Sequence, residues 1–384
     1  MNILRLFRST SKQPTPPEDV VENAPTTKVN ADPIGSPAKT LIAEGTEKAK
    51  SGDFAGAILT FDKAISLDPT DPGVYFERSK AKKEVGDEAG AKHDVAEFKL
   101  RFERLEEGLK AHDLARAAYE GDDYKETIKQ FNKAISLCPT LTSIFYERGL
   151  AKQCLEDYRG AEEDFTRGIQ ANDSTKARAF HQRGKVRQKL KDPTAALQDF
   201  SDAIALCPDD ADMLYSRATV AEPYDGLRDL DRAIALRPDE PMFHFVRAIR
   251  RHAMEDIEGA INDLTTFIEL KPMDESVSIS EALSLRATMK AARVDHAGAL
   301  VDYNMAIDAD SGKATLYVER GLTRFRLRDY SGAADDFGKS IALDNTNGEA
   351  HYWRGLCKSE MGLKDEAEGD FFQAKTLGYT EESA

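Results

Sequence analysis

The sequence has little of the material that nucleic-acid-binding and membrane proteins need. Among 384 residues, Lys and Arg (53) are outnumbered by Asp and Glu (68), which gives a formal net charge of −15 at pH 7. Phosphate binding needs clustered cations, so nucleic acid is not expected as a partner and basic protein segments are slightly favoured. No run of about 18 apolar residues occurs, so no membrane-spanning helix is expected.

Motifs that carry catalysis or bind metals are also missing from the sequence. No CxxC spacing occurs among Cys138, Cys154, Cys207 and Cys357, and a reducing cytoplasm is the expected compartment. The seven histidines form no HExxH and none lies at zinc spacing with a cysteine. A P-loop, a dinucleotide-binding glycine motif and a GxSxG motif are absent as well. We therefore expect no metal, no cofactor and no enzyme activity.

Residues 1–37 mix Pro, Thr and Asp without helical or alternating periodicity, which predicts a disordered tail or linker. Its first apolar residues, Ile3, Leu4, Leu6 and Phe7, form too short a stretch for a secretory signal. Two interpretations of residues 1–8 stay open: a frayed end and a weak interfacial membrane anchor.

The rest of the chain is periodic. One phrase closes a helix and exits at proline, in DKAISLDP (62–69), NKAISLCP (132–139), SDAIALCP (201–208) and DRAIALRP (231–238). A second phrase opens the next helix, in YFERSKAK (75–82), FYERGLAK (145–152), YVERGLTR (317–324) and HYWRGLCK (351–358). Aligning these phrases predicts ten repeats, which start near residues 38, 72, 108, 142, 177, 211, 241, 280, 314 and 348.

This array resembles the tetratricopeptide repeat (TPR) family, whose unit is a helix–turn–helix of about 34 residues. That family expects an aromatic residue at position 4, small residues at 8, 20 and 27, an aromatic at 24 and proline at 32. Repeat 1 places there Leu41, Gly45, Ala57, Phe61, Ala64 and Pro69, whereas repeat 9 departs with Ser340 and Asn345. The resemblance implies an all-α, right-handed superhelical solenoid of about ten helix pairs, in which each pair covers the apolar face of its neighbour.

Three places depart from the repeat pattern. Repeat 2 lacks its terminal proline, which predicts one long or kinked helix through residues 96–121. Repeat 6 is about four residues short, with Pro223 where its first helix should end, and MDESVSI (273–279) is inserted between repeats 7 and 8. The predicted organisation is a tail, repeats 1–2 ending in a long helix, repeats 3–10 and a C-terminal tail, with bounds 1–37, 38–107, 108–379 and 380–384.

Eight repeats carry an arginine at position 7 and an aspartate just before position 24. These pairs are Arg78 with Asp94, Arg148 with Asp164, Arg183 with Asp199, Arg217 with Asp229, Arg247 with Asp263, Arg286 with Asp302, Arg320 with Asp336 and Arg354 with Asp370. Repeat 2 keeps its pair although both neighbouring repeats lack one, so the pairing is predicted to be internal to each repeat. We interpret it as a partly buried ion pair that sets the registry of two helices. The alternative is that these charges bind a ligand.

The resemblance further implies that the first helices of the pairs, here called A helices, line a concave groove through positions 2, 5, 9, 12 and 13. Matching positions hold Tyr146, Leu150, Phe245, Ile249, Val318, Leu322, Phe325, Tyr352 and Leu356. These side chains either contact a partner or pack against adjacent A helices, and the sequence does not decide between the two.

Repeat 5 differs, because its groove positions hold Arg178, His181, Lys185 and Lys189. A local basic row in an acidic protein predicts that an acidic or C-terminal peptide segment docks across repeats 4–6, and a solvated basic face is the alternative. The clamp by which some relatives hold chaperone tails needs asparagines on A helices, and no A helix has one.

The predicted function is therefore a cytoplasmic scaffold or adaptor that binds protein or peptide partners in the groove. Two alternatives remain: a self-associating structural component, joined through the open end of repeat 10, and a membrane-tethered assembly factor held by residues 1–8.

Overall fold

A computed structural model describes residues 37–171, 174–271 and 277–379. These residues form helices and no strand, which confirms the all-α fold class. The tails predicted at 1–37 and 380–384 lie outside the described residues, apart from Pro37, and so does most of the insertion 273–279. The chain divides into two compact units, Met1–Pro208 and Asp209–Ala384.

The first unit holds the helices of repeats 1–5. They are α1 (Pro37–Lys50), α2 (Phe54–Leu67), α3 (Pro72–Glu84), α4 (Glu88–Glu120), α5 (Tyr124–Leu137), α6 (Ser143–Cys154), α7 (Tyr158–Ala171), α8 (Lys176–Lys189) and α9 (Pro193–Leu206). Consecutive helices form antiparallel pairs, and α4 serves both repeat 2 and repeat 3.

The second unit holds the helices of repeats 6–10. They are α10 (Ala211–Val220), α11 (Pro223–Leu236), α12 (Pro241–Ala253), α13 (Ile257–Glu269), α14 (Ile279–Ala292), α15 (His296–Ala309), α16 (Ala314–Arg326), α17 (Tyr330–Leu343), α18 (Gly348–Glu360) and α19 (Lys364–Thr376). Every repeat start predicted from the sequence falls within a few residues of the start of an A helix, except in α4, which runs through.

Local chemistry places the helix boundaries. Many second helices of the pairs, here called B helices, begin after an aspartate whose side chain accepts a backbone N–H. The Asp53 carboxylate accepts from Gly56 N at 2.9 Å and the Asp329 carboxylate from Gly332 N at 3.0 Å. Such caps satisfy amide groups that have no partner inside the helix. They fix where each B helix starts and therefore how long each turn is.

A glycine on the A helix and a phenylalanine on the B helix bring the two helices of a pair together. A Cβ atom on Gly45 would lie 2.6 Å from the Phe61 ring, and one on Gly149 would lie 2.7 Å from Phe165. Both rings are fully buried. Only a residue without a side chain leaves room for the ring, so these positions set the close approach of the helices.

The long helix predicted after repeat 2 is the single 33-residue helix α4. Gly108 lies inside this helix and does not end it. It is a packing position, since a Cβ atom there would lie 2.4 Å from Cys138 Sγ. The boundary expected at 107/108 therefore falls within a continuous helix, and the two compact units divide instead at Pro208/Asp209. Repeat 6 is short as expected, with α10 ending at Val220 and α11 starting at Pro223.

Candidate functional site

The arginine–aspartate pairs of the eight repeats share one geometry. In repeat 2, Arg78 Nε donates to Asp94 Oδ2 at 2.8 Å and Arg78 Nη2 donates to Asp94 Oδ1 at 2.6 Å. The same two bonds recur with Nε distances of 2.7–3.0 Å and Nη2 distances of 2.6–2.7 Å. Planar guanidinium and carboxylate groups match in this arrangement, so it fixes both position and angle.

A second cation, which the sequence reasoning missed, joins seven of the eight pairs. It lies four residues after the arginine, one turn further along the same helix. These cations are Lys82, Lys152, Arg187, Arg251, Lys290, Arg324 and Lys358, at 2.8–3.1 Å from the aspartate. The four-residue spacing is visible in the sequence and was the signal that could have revealed it.

Charge balance favours the ionised form of two of these buried aspartates, Asp94 and Asp370. Asp94 is fully buried, and burial alone would raise its pKa. Hydrogen bonds from Arg78 and Lys82 outweigh burial and hold the pKa of Asp94 below its usual value. The same balance lowers the pKa of Asp370. Both aspartates are thus buried anions held between two cations.

The arginine–aspartate pairs lie within single repeats, and six of the arginines also reach the preceding repeat. Arg78 Nη1 donates to Asp62 at 2.6 Å, across the boundary between repeats 1 and 2. Arg148 and Arg320 donate in the same way to Asn132 and Asn304, at 2.6 and 2.8 Å. The sequence hid this link because the partner on the preceding B helix varies among Asp, Asn and Thr. These six arginines therefore tie two repeats together as well as two helices.

Four of the nine predicted apolar groove residues are buried by the protein itself. Tyr146, Leu150, Phe245 and Val318 are 4–8% exposed. Tyr146 and Leu150 share one core cluster with Ala179 of the next A helix. At these four positions the burial supports the packing alternative. Five others are half-buried: Ile249, Leu322, Phe325, Tyr352 and Leu356.

The basic row of repeat 5 keeps three of its four members at the surface. Arg178 and Lys189 are exposed and Lys185 is half-buried. His181 is buried, with its ring centroid 5.7 Å from that of Phe200. Burial, aided by the charge of Lys185, lowers the pKa of His181 to about 3. His181 is therefore neutral at neutral pH and belongs to the core, not to a cationic surface.

Helix α8 remains the most one-sided helix in charge. Its sequence, KARAFHQRGKVRQK, has six Lys or Arg residues and no carboxylate. Arg183 and Arg187 are engaged by Asp199 and Glu162. The exposed side chains of Arg178 and Lys189 thus make the solvent-exposed face of this A helix positively charged.

The described ranges contain neither a membrane-spanning helix nor a metal-binding group of side chains. No helix in residues 37–171, 174–271 and 277–379 is long and apolar enough to cross a membrane. Within the same residues, no three His, Cys, Asp or Glu side chains are grouped so that they could hold a metal ion. The four cysteines are free thiols in the described structure.

Comparison with known proteins points to one family. A sequence model described as tetratricopeptide repeat matches residues 177–210, which is repeat 5. The "Tetratricopeptide repeat protein 36 homolog" of Nematostella vectensis is 35% identical over 80 residues, or 21% of this chain. The matched stretch spans 44% of the length of that curated relative.

Two solved structures of tetratricopeptide repeat proteins align with this chain. The C-terminal part of a TPR repeat-containing protein from Cytophaga hutchinsonii aligns with a TM-score of 0.53 at 20% identity, over 62% of this chain and 96% of that chain. A tetratricopeptide repeat protein from Parabacteroides merdae aligns with a TM-score of 0.45 at 17% identity, over 63% and 94%. The chain therefore has the fold of tetratricopeptide repeat proteins, and its repeat 5 matches the sequence pattern of that family.

Proposed function

We propose that this chain is a non-catalytic scaffold that binds segments of other proteins on the solvent-exposed faces of its A helices. A stack of helix pairs uses its apolar faces to hold itself together, so recognition falls to side chains that remain at the surface. The single observation that supports a location is helix α8, which has six cations, no carboxylate and two exposed cationic ends, Arg178 and Lys189.

The partner proposed for this face is an acidic peptide segment. The chain as a whole has a net charge of −15, so an acidic segment is repelled elsewhere and attracted to a local positive face. The docking surface is narrower than the sequence suggested, because Tyr146, Leu150 and His181 are buried. It consists of Arg178, Lys185 and Lys189 on repeat 5, and repeat 6 lies in the other compact unit.

A peptide titration tests this proposal. The probes are fluorescently labelled glutamate-rich and lysine-rich peptides of equal length, added to the full chain at low salt. We expect the acidic peptide to bind more tightly and to weaken steeply as salt is added. Arg178→Glu with Lys189→Glu should reduce its affinity at least tenfold, because repulsion replaces attraction on an exposed face.

Lys83→Glu with Lys110→Glu is the matched control. Both lysines are exposed on other A helices of the same unit, and the change in net charge is identical. The proposal fails if the two double variants lose the acidic peptide equally, or if the unaltered chain prefers the lysine-rich peptide.

Self-association is a second candidate function. Phe372 lies on α19, the last helix of the described residues, and at 72% exposure it is accessible to a second copy of the chain. Light scattering on the full chain and on the Phe372→Glu variant separates the two candidates. A dimer that dissociates in the variant would favour self-association. Tethering to a membrane through residues 1–8 stays a third proposal, tested by vesicle flotation, because those residues lie outside the described structure.

A further inference from the structure

Each A helix is normally covered by the A helix that follows it. Tyr146 shares a core cluster with Ala179 and Val186 of the next A helix, α8. Phe245 and Val318, at the same repeat position, lie in equivalent clusters with residues of α14 and α18. As a result Tyr146, Phe245 and Val318 are 8%, 4% and 6% exposed.

Repeat 2 lacks this cover. Phe76 occupies the same repeat position but is 41% exposed. Here α4 runs as one 33-residue helix from repeat 2 into repeat 3, so no turn separates the B helix of repeat 2 from the following A helix. Lys110 and Ala117, which correspond to Ala179 and Val186, are exposed and cover nothing.

An aromatic patch occupies the uncovered place. The ring of Phe98 lies 5.2 Å from that of Phe76 and 5.6 Å from that of Phe102, which is 43% exposed. Phe98 stands at the position where repeats 3 and 5 have the buried residues Ala134 and Ala203. A large ring there has no room under a following A helix. We call Phe76, Phe98 and Phe102 the repeat 2 patch.

Residues 1–36 of the same chain contain one concentrated apolar stretch. Four of the five residues from Ile3 to Phe7 are apolar, and Ile3, Leu6 and Phe7 recur at helical spacing. The 30 residues from Phe7 to Pro37 can span up to about 100 Å when extended. Helix α1 packs on α2 and α2 on α3, so the patch lies about 20 Å away, at two helix spacings.

We propose that the segment Ile3–Phe7 docks on the repeat 2 patch in place of the missing A helix. The patch needs an apolar cover of about one or two helical turns, and this segment supplies one. A segment on the same chain meets the patch at an effective concentration on the order of millimolar, which favours it over partners in solution. Burying three phenylalanine rings removes apolar area from water, and that is the driving force.

Photocrosslinking tests the proposal on the full chain. A photoreactive benzoyl-phenylalanine replaces Phe7, and mass spectrometry locates the crosslinks after irradiation. We expect crosslinks within one chain to residues 72–105, with a yield that does not change on dilution. Phe76→Glu with Phe102→Glu should abolish them, whereas Phe372→Glu, which alters a still more exposed phenylalanine in the other unit, should leave them intact.

Hydrogen exchange gives an independent readout. Amides of α3 and of α4 near Phe102 should exchange several-fold faster in Leu6→Glu with Phe7→Glu than in the unaltered chain. The proposal is overturned by crosslinks between chains that grow with concentration, by crosslinks to another surface, or by unchanged exchange. The first outcome would assign the patch to a second copy. Circular dichroism on both double variants checks that helicity is retained, so that unfolding is excluded as the cause.

Discussion

Arg217 and Asp229 form the same two-pronged bond as the other pairs although they lie 12 residues apart instead of 16. Repeat 6 is shorter than the other repeats at the end of its A helix and in the turn, since α10 ends at Val220 and α11 begins at Pro223. Both bonds of Arg217 are 2.7 Å long. The shortening of repeat 6 therefore left the pair intact, as expected if the pair sets how the two helices meet.

A residue from the next repeat occupies the place of the missing turn. Arg250 of α12 donates from Nη1 to the carbonyl oxygen of Ala221 at 3.0 Å, and its guanidinium lies against Gly226. Burial lowers the pKa of Arg250, and the nearby carboxylates of Glu222 and Asp229 offset this only in part. Arg250 thus caps the truncated helix and adds positive charge near Asp229.

The first prediction concerns the ion pairs. Asp336→Ala should lower the free energy of opening most strongly at repeat 9, by about 3–5 kcal/mol, because Arg320 and Arg324 lose their shared buried anion. A double-mutant cycle on Arg320 and Asp336 should give a coupling energy of about 0.5–3 kcal/mol. Amide hydrogen exchange in α16 and α17 measures it locally, as repeats open independently.

The exposed pair Lys129 and Glu126, 2.9 Å apart, is the control for that cycle. Its coupling energy should stay below about 1 kcal/mol because solvent screens it. A coupling energy of zero for Arg320 and Asp336 would remove the registry interpretation.

The second prediction concerns Gly226 and Arg250. A Cβ atom on Gly226 would lie 2.8 Å from the Arg250 guanidinium, so Gly226→Ala should push that flexible side chain off the Ala221 carbonyl oxygen and destabilise repeat 6 by about 0.5–1.5 kcal/mol, the value of one hydrogen bond. The loss should shrink in an Arg250→Ala background, where the clash is absent. Gly369→Ala is the matched control, since nothing lies within 4 Å of it, and it should stabilise α19 by about 0.5–1 kcal/mol. Equal effects of Gly226→Ala in both backgrounds would contradict the proposed contact.

The third prediction concerns pH and His181. Its folded-state pKa of about 3 lies below the ordinary value of 6.5, so its contribution to stability is complete above about pH 6.5 and is lost as pH falls toward 3. At pH 5 the loss should be about 2 kcal/mol. Urea unfolding at pH 7 and pH 5 measures this slope. His181→Gln should flatten it, whereas His93→Gln, at an exposed position, should not.

The fourth prediction separates packing from partner contact on repeats 4 and 5. Leu150 is 4% exposed, so Leu150→Ala should cost about 2–5 kcal/mol of stability. Lys189→Glu, at an exposed position, should change stability by no more than about 0.5 kcal/mol while weakening the acidic peptide. Thermal unfolding and peptide titration on the same two variants measure both effects. If the Leu150→Ala variant were as stable as the unaltered chain, partner contact would be favoured over packing as the role of Leu150.

The sequence by itself determined the repeats and the residues of the ion pairs. Helix periodicity, capping aspartates and exit prolines are local signals, and the spacing from Arg320 to Asp336 repeats along the chain because the helix pair does. The missing proline after repeat 2 likewise predicted α4, since nothing between its ends stops a helix.

Only the tertiary structure decided which groove positions are exposed to solvent. Phe76 and Tyr146 are aromatic residues at the same repeat position, yet they are 41% and 8% exposed. His181, which looked like part of a cationic row, is buried as well. Exposure at this position depends on whether the following A helix returns to cover it. That is a property of how neighbouring repeats stack, which no single residue or spacing within a repeat records.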